Sequence, residues 1–275
     1  MIPLTIFAAS EDDFVGIKYY ITITSTTWQL TDTGSVNYTV DWGDGNTQTS
    51  TSNNLSHTYA SAGSYVVAVT PTGTYRPYWN NSTDADRITV CEISTDPTWS
   101  PGSNLQDAFE GAAYMTTITM NFSATSNVTS LFRAWEDCYD LTSFPLIDTS
   151  NVTIFGEAWE SNRDLTSFPL IDTSSGTYFY RTWYGCSNLT SFPANMFDST
   201  GGLSSSNAFY GAWYGCALTA QSIENILTSL DTNGQSNLFT HMSGGTSAAK
   251  STWSTAANTA YTNLINKGWT ISHNT

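Results

Sequence analysis

The sequence predicts a mainly β chain: an antiparallel β-sandwich feeding a short solenoid of repeats, with a small helical cap at the C-terminal end. Three observations carry this prediction. Alternating apolar and polar residues fill the first third of the chain with no helix between them. Two adjoining 24-residue segments are almost identical, the mark of a repeat architecture. Helical periodicity begins only near residue 220. The parts divide as 1–95, 96–218 and 219–275.

Hydrophobic residues make up 40% of the 275, enough to fill real cores despite the abundance of Ser, Thr and Asn. Only 11% are charged and 14% are aromatic, so hydroxyls and amides must wet the surface. Thr, Tyr, Trp and Val also suit a pleated surface. A net charge of −15 repels nucleic acid. No basic amphipathic helix and no apolar run of membrane-spanning length occurs, so membrane insertion is not expected. The apolar stretch Met1–Ser10 is short, interrupted by Pro3 and lacks a positive start, unlike an export signal. The chain is therefore expected to fold in the cytoplasm where it is made.

In the first part, Ile17, Tyr19, Ile21 and Ile23 alternate with Lys18, Tyr20, Thr22 and Thr24 as a half-buried strand. A turn at 31–34 leads to Val36, Tyr38, Val40 and Trp42, which end in Gly43-Asp44-Gly45-Asn46. Tyr65, Val67 and Val69 form another strand, opened by Ala62-Gly63 and closed by Pro71. Short strands at this spacing suggest a sandwich. Three motifs in order, V-D-W-G-D-G at 40–45, H-T-Y at 57–59 and A-G-S-Y-V-V at 62–67, resemble the PKD domain over about residues 14–92. The resemblance implies an immunoglobulin-like fold used as an interaction or spacer module.

In the second part, 127–150 and 151–174 share NVT, AWE and DLTSFPLIDTS in register. A third copy spans 175–200, with weaker copies near 104–118 and 212–219. Trp135, Leu141 and Phe144 recur as Trp159, Leu165 and Phe168, and again as Trp183, Leu189 and Phe192. A unit this short cannot enclose a core alone, but stacked units share one apolar column. Pro145, Pro169 and Pro193 would end a short Leu-Thr-Ser-Phe strand, while Asp148 and Asp172 shape the corner after it. The units resemble BspA-like leucine-rich repeats over about residues 100–220, with Trp where that family usually has Phe. Cys138, Cys186 and Cys216 share one repeat position, filled by Asn162 in the intervening copy. They read as small, reduced, buried thiols rather than metal ligands.

The third part opens with Ile223, Ile226, Leu227 and Leu230 at helical spacing, stopped at Asn233-Gly234. A second helix is expected from about Ala248 to Lys267, then a closing Trp269-Thr270-Ile271 strand. This ending resembles the cap of the same repeat family, which a solenoid needs to cover its last open edge.

Chemistry has few candidates. His57 falls inside H-T-Y, where a structural role suffices; His241 and His273 are expected in a loop and at the tail. No nucleophile elbow, phosphate-binding loop or zinc helix occurs, and no catalytic residue or cofactor is assigned. Glu136 and Glu160 beside Trp135 and Trp159 suit a glycosidase pair, yet both recur at one repeat position, as a structural ladder does. Calcium at Asp41 and Asp44, helped by Asp32, competes with plain turn geometry. Outside the core lie Tyr139, Tyr178, Tyr180, Tyr184, Tyr210 and Tyr214 amid Asn, Ser and Thr. They suit an adaptable binding surface, or they pack on neighbouring turns.

The two resemblances together imply a bacterial surface or bacteriophage protein. With no export signal read at Met1–Ser10, the expectation is a non-enzymatic bacteriophage virion protein displayed on the particle, as capsid decoration or tail adhesin. Its expected partners are other capsid or tail proteins and a host-surface glycan or protein. A bacterial cell-surface adhesin, and a carbohydrate-binding protein or glycosidase, are the alternatives.

Overall fold

The computed structural model describes residues 14–33, 37–51, 53–80, 82–95, 99–203 and 205–275. The stretch Met1–Ser10 and, in the expected second strand and its turn, Gly34 and Val36 lie outside the described residues.

In chain order the strands are β1 (Gly16–Ile23), β2 (Thr27–Leu30), β3 (Asp32–Thr33), β4 (Asn37–Asp41), β5 (Thr47–Ser50), β6 (Leu55–Thr58), β7 (Gly63–Thr74), β8 (Arg76–Pro77), β9 (Ile88–Ser94), β10 (Trp99–Ser100) and β11 (Thr117–Met120). The main sheet runs β11-β9-β1-β7-β4-β5, with β10 added to β7. Its pairs from β9 to β5 are antiparallel. The small pairs β2–β6 and β3–β8 make the rest of a sandwich. The alternation seen in the sequence becomes burial: Ile17, Tyr19, Ile21 and Ile23 are all buried along β1. Trp28 of β2 packs on Tyr19 of β1 at 6.1 Å and on Trp42 at 6.3 Å, joining the layers through aromatic contacts.

Pro71 does not close its strand as expected; β7 continues to Thr74. There β7 faces only Tyr38 of β4, because its pairing with β1 has ended at Val69. The donor that proline lacks therefore falls where no strand waits.

Beyond the sandwich, successive copies lie one on the next. Parallel bridges join Asn104 to Ser130, Ser130 to Ile154 and Ile154 to Tyr178. Phe109, Trp135, Trp159, Trp183 and Trp213 form one face-to-face column with centroids 5.7–6.2 Å apart. Phe144, Phe168 and Phe192 form a second column beside it, 6.0 and 6.1 Å apart. Leu141, Leu165 and Leu189 are wholly buried in the same core.

A threonine ladder ties these copies to the sandwich. Thr116 donates its amide to Thr89 of β9, Thr142 to Thr116, Thr166 to Thr142 and Thr190 to Thr166. The hydroxyls of Thr116, Thr142 and Thr190 donate to the same carbonyls. The ladder begins where β11 pairs in parallel with β9. Beyond β11, the short Leu-Thr-Ser-Phe strands expected in each copy are reduced to a bridge between Ser167 and Ser191. The proline after each Phe removes the next donor, so too few rungs remain for a strand.

At the far end, α1 (Ala220–Asn233) is capped by Thr219, whose side chain accepts from the Ser222 amide, and by Gly234 in the left-handed region. The strand β12 (Phe239–Met242) follows. The second helix is shorter than its sequence suggests: α2 spans Thr255–Asn266 and starts at the Ser254 cap. It is followed by β13 (Thr270–His273), parallel to β12. His241 and His273 accordingly sit on paired strands, not in a loop and a tail. Among the described residues, no helix is long and apolar enough to cross a membrane.

Candidate functional site

The segment before each buried column residue is a run of overlapping turns. Within a copy Ala134 donates to Leu131 and Glu136 to Arg133, while Arg133 and Trp135 donate across to Gly156 and Ala158 of the next copy. Alternate amides thus point along the stack. This path needs left-handed backbone every fourth residue: Arg133 and Asp137, then Glu157 and Ser161, with φ of 54–63°. Gly185, at φ 72°, takes the same place in the next copy. The path also turns side chains outward at fixed positions, and these form the candidate site.

Two stripes result. The first is aromatic. Tyr178 stacks on Tyr180 at 5.9 Å, Tyr180 on Tyr210 at 5.6 Å, and Tyr210 on Phe239 at 5.3 Å. Tyr184 stacks on Tyr214 at 5.0 Å, and His241 sits edge-on to both Tyr210 and Tyr214. Tyr210 and Tyr214 are 38% and 36% exposed, so part of each ring meets solvent although its face is stacked. Five of the six sequence-chosen tyrosines therefore come together, packing on neighbouring copies and facing outward at once. Tyr139 does not join them; Arg163 lies over its ring at 4.1 Å. Phe239, which no motif marked, and His241, expected in a loop, join the stripe because β12 docks on the Trp213 copy.

The second stripe is charged. Arg133 Nε donates to Glu157 Oε2 at 2.6 Å and lies 3.3 Å from Glu136 Oε2. Arg181 Nη2 lies 2.6 Å from Glu160 Oε1 and its guanidinium sits over Tyr184 at 3.9 Å, linking the stripes. Burial pushes Glu136 up to about 8, helped by the charge of Glu160. Burial likewise raises Glu110 to about 7, with Asp107 adding to it, and Glu160 to about 7 against the pull of Arg181. Equal offsets signalled this ladder for Glu136 and Glu160; its partners Glu157 and Arg133 stand at a repeat position that changes residue type, so nothing marked them.

The remaining candidates are structural in their contacts. His57 stacks on Trp42 at 4.8 Å and its Nε2 lies 2.8 Å from Asp44 Oδ2. Asp41 accepts from the Gly43 amide, Asp44 from that of Asn46, and Asp32 from Tyr38 and Asn54. Of the three carboxylates weighed for calcium, Asp41 and Asp44 thus shape their turn and Asp32 ties Tyr38 and Asn54 to its strand. Cys138, Cys186 and Cys216 are free and buried, and donate to the carbonyls of Phe109, Trp159 and Trp183. Burial raises all three thiols, which keeps them unreactive. A separate groove of about 490 Å³ between sandwich and stack is lined by Thr22, Thr24, Arg87 and Tyr114, the last 59% exposed.

No curated protein and no solved structure matches the chain. Residues 7–90 match the PKD domain family, so the first part of the chain is PKD-like.

Proposed function

We propose that this chain is a non-catalytic display and recognition protein of a bacteriophage particle, as capsid decoration or tail adhesin. In this reading the PKD-like sandwich docks to other virion proteins. The remainder is a short BspA-like leucine-rich-repeat solenoid with a helical cap, and it presents the binding face. Parallel bridges between copies and the unbroken Trp column support the solenoid.

The observation that carries the binding role is the aromatic stripe of half-buried Tyr178, Tyr180 and Tyr184 and exposed Tyr210 and Tyr214, with the Arg181–Glu160 pair beside it. The ring edges and hydroxyls left open by this stacking offer apolar area and hydrogen bonds at low entropic cost, while the charged neighbours orient a polar ligand. Expected partners are a host-surface glycan or protein.

The test has two arms. Mass spectrometry of purified particles should find the chain, and its absence would remove the virion reading. An array of bacterial surface glycans should retain the protein, and Tyr210→Ala with Tyr214→Ala should weaken retention about tenfold or more. Retention unchanged by both substitutions would remove the stripe as the binding face. A glycosidase remains the second reading, favoured by the closeness of Glu136 and Glu160. It requires polysaccharide turnover that Glu136→Gln and Glu160→Gln abolish.

A further inference from the structure

We infer that Glu136, Glu157 and Glu160 form a binding site for a divalent cation of the calcium type, clamped between two copies of the stack. One carboxylate oxygen from each lies within 4.8 Å of the others. Oxygens that share a calcium ion at about 2.4 Å lie at most about 4.8 Å apart, and these three meet that condition. An all-oxygen donor set suits calcium and not the metals that prefer nitrogen or sulfur.

Glu160 is held on one side only. This residue is 6% exposed, and Arg181 fixes only one of its oxygens, at 2.6 Å. The other oxygen, Oε2, is buried with no hydrogen-bond partner. Glu136 Oε2 is also buried without a hydrogen bond, since Arg133 Nε at 3.3 Å is already spent on Glu157. A buried carboxylate oxygen without a donor is costly unless a cation or a proton meets it. Arg133 and Arg181 do not balance Glu136, Glu157 and Glu160, and Asp137 adds another acid close by. With these carboxyls ionised the local charge is negative, so a cation competes with protons for the site, and water would complete its shell.

The site lies where the stack changes. Upstream, Glu110 occupies the place of Glu136 and Glu160; downstream, Tyr184 and Tyr214 occupy it. A bound ion would pin the Glu136 copy to the Glu160 copy just before the aromatic stripe begins.

The test uses the full chain in calcium-free buffer at about pH 8.5 and fixed ionic strength, where the carboxyls are ionised. Calcium chloride should raise the thermal midpoint by roughly 5 °C at saturation. Terbium, excited through the nearby tryptophans, should luminesce with a saturable signal that calcium displaces. Glu160→Gln and Glu157→Gln should abolish both effects, while Glu92→Gln on the sandwich should leave them intact. Should Glu160→Gln fail to fold by circular dichroism, the more exposed Glu136→Gln should lower calcium affinity about tenfold or more. No midpoint shift up to about 10 mM calcium would overturn the site, whatever acidification does; stabilisation by acid alone would assign the buried oxygen to a proton. A calcium shift equal in wild type and variants would equally overturn it, as general screening of an acidic chain.

Discussion

At the residue scale, the repeat exposes its own exceptions. Asn162 stands in the thiol column, fully buried, with neither its amide nitrogen nor its oxygen hydrogen-bonded. The cysteines at this position each donate to a carbonyl of the preceding copy, as Cys186 does to Trp159 at 3.1 Å. Asn162→Cys should therefore remove two orphaned groups and donate to Trp135, raising stability by about 1–2 kcal/mol in urea titration. A loss of stability would show that Asn162 has a partner the column logic does not supply. The carboxyl ladder carries a pH dependence. Burial raises Glu110, Glu136 and Glu160 to between about 7 and about 8, above their unfolded values. Between about pH 4.5 and pH 8 the folded chain thus binds more protons than the unfolded one, so stability falls as pH rises through that window. With EDTA present, the thermal midpoint should be higher at pH 5 than at pH 8.5, and Glu136→Gln should flatten the slope. A midpoint that rises across that interval would contradict the ladder's electrostatics.

At the scale of elements, the copies are held by close backbone approach as much as by apolar faces. A Cβ on Gly245 would lie 2.1 Å from the Cys216 carbonyl oxygen and 2.5 Å from the Gly215 carbonyl carbon. Those are backbone atoms of the last copy, so relief requires the segment after β12 to move off the stack. Gly245→Ala should cost at least about 2 kcal/mol, whereas Gly201→Ala, with nothing within 4 Å, should change stability by less than about 0.5 kcal/mol. Chemical denaturation of the two variants checks this, and equal midpoints would mean that the cap is not seated as described. Regular strand does not persist along the threonine ladder, because each Pro ends the run after a few residues.

At the scale of the whole molecule, sandwich and stack are one piece of hydrogen-bonded structure. The stack's first strand, β11, adds in parallel to the sandwich edge β9, and Trp79 and Asn80 both donate to Asp107. Buried residues from Ile17 to Ile271 belong to one connected core. The sandwich thereby covers the open edge that the first copy would otherwise present. Unfolding should consequently be a single transition, with near-ultraviolet circular dichroism, secondary structure and calorimetry giving coincident midpoints. Two resolved transitions would show that the halves fold independently.

Much of this was legible in the residues. Period-two alternation marked β1 and β7, helical spacing and Asn233-Gly234 marked α1, and identical 24-residue offsets put Trp135 and Trp159 at one position. Local rules suffice there, because strand, helix and repeat register are set by neighbours along the chain. The charged stripe and the full aromatic face were not legible. Arg133 meets Glu157 across copies, and Phe239 reaches Tyr210 only after α1 has folded back. Which outward side chains meet depends on the pitch of the stack and on where the cap docks, and those are decided by packing between segments far apart in the chain.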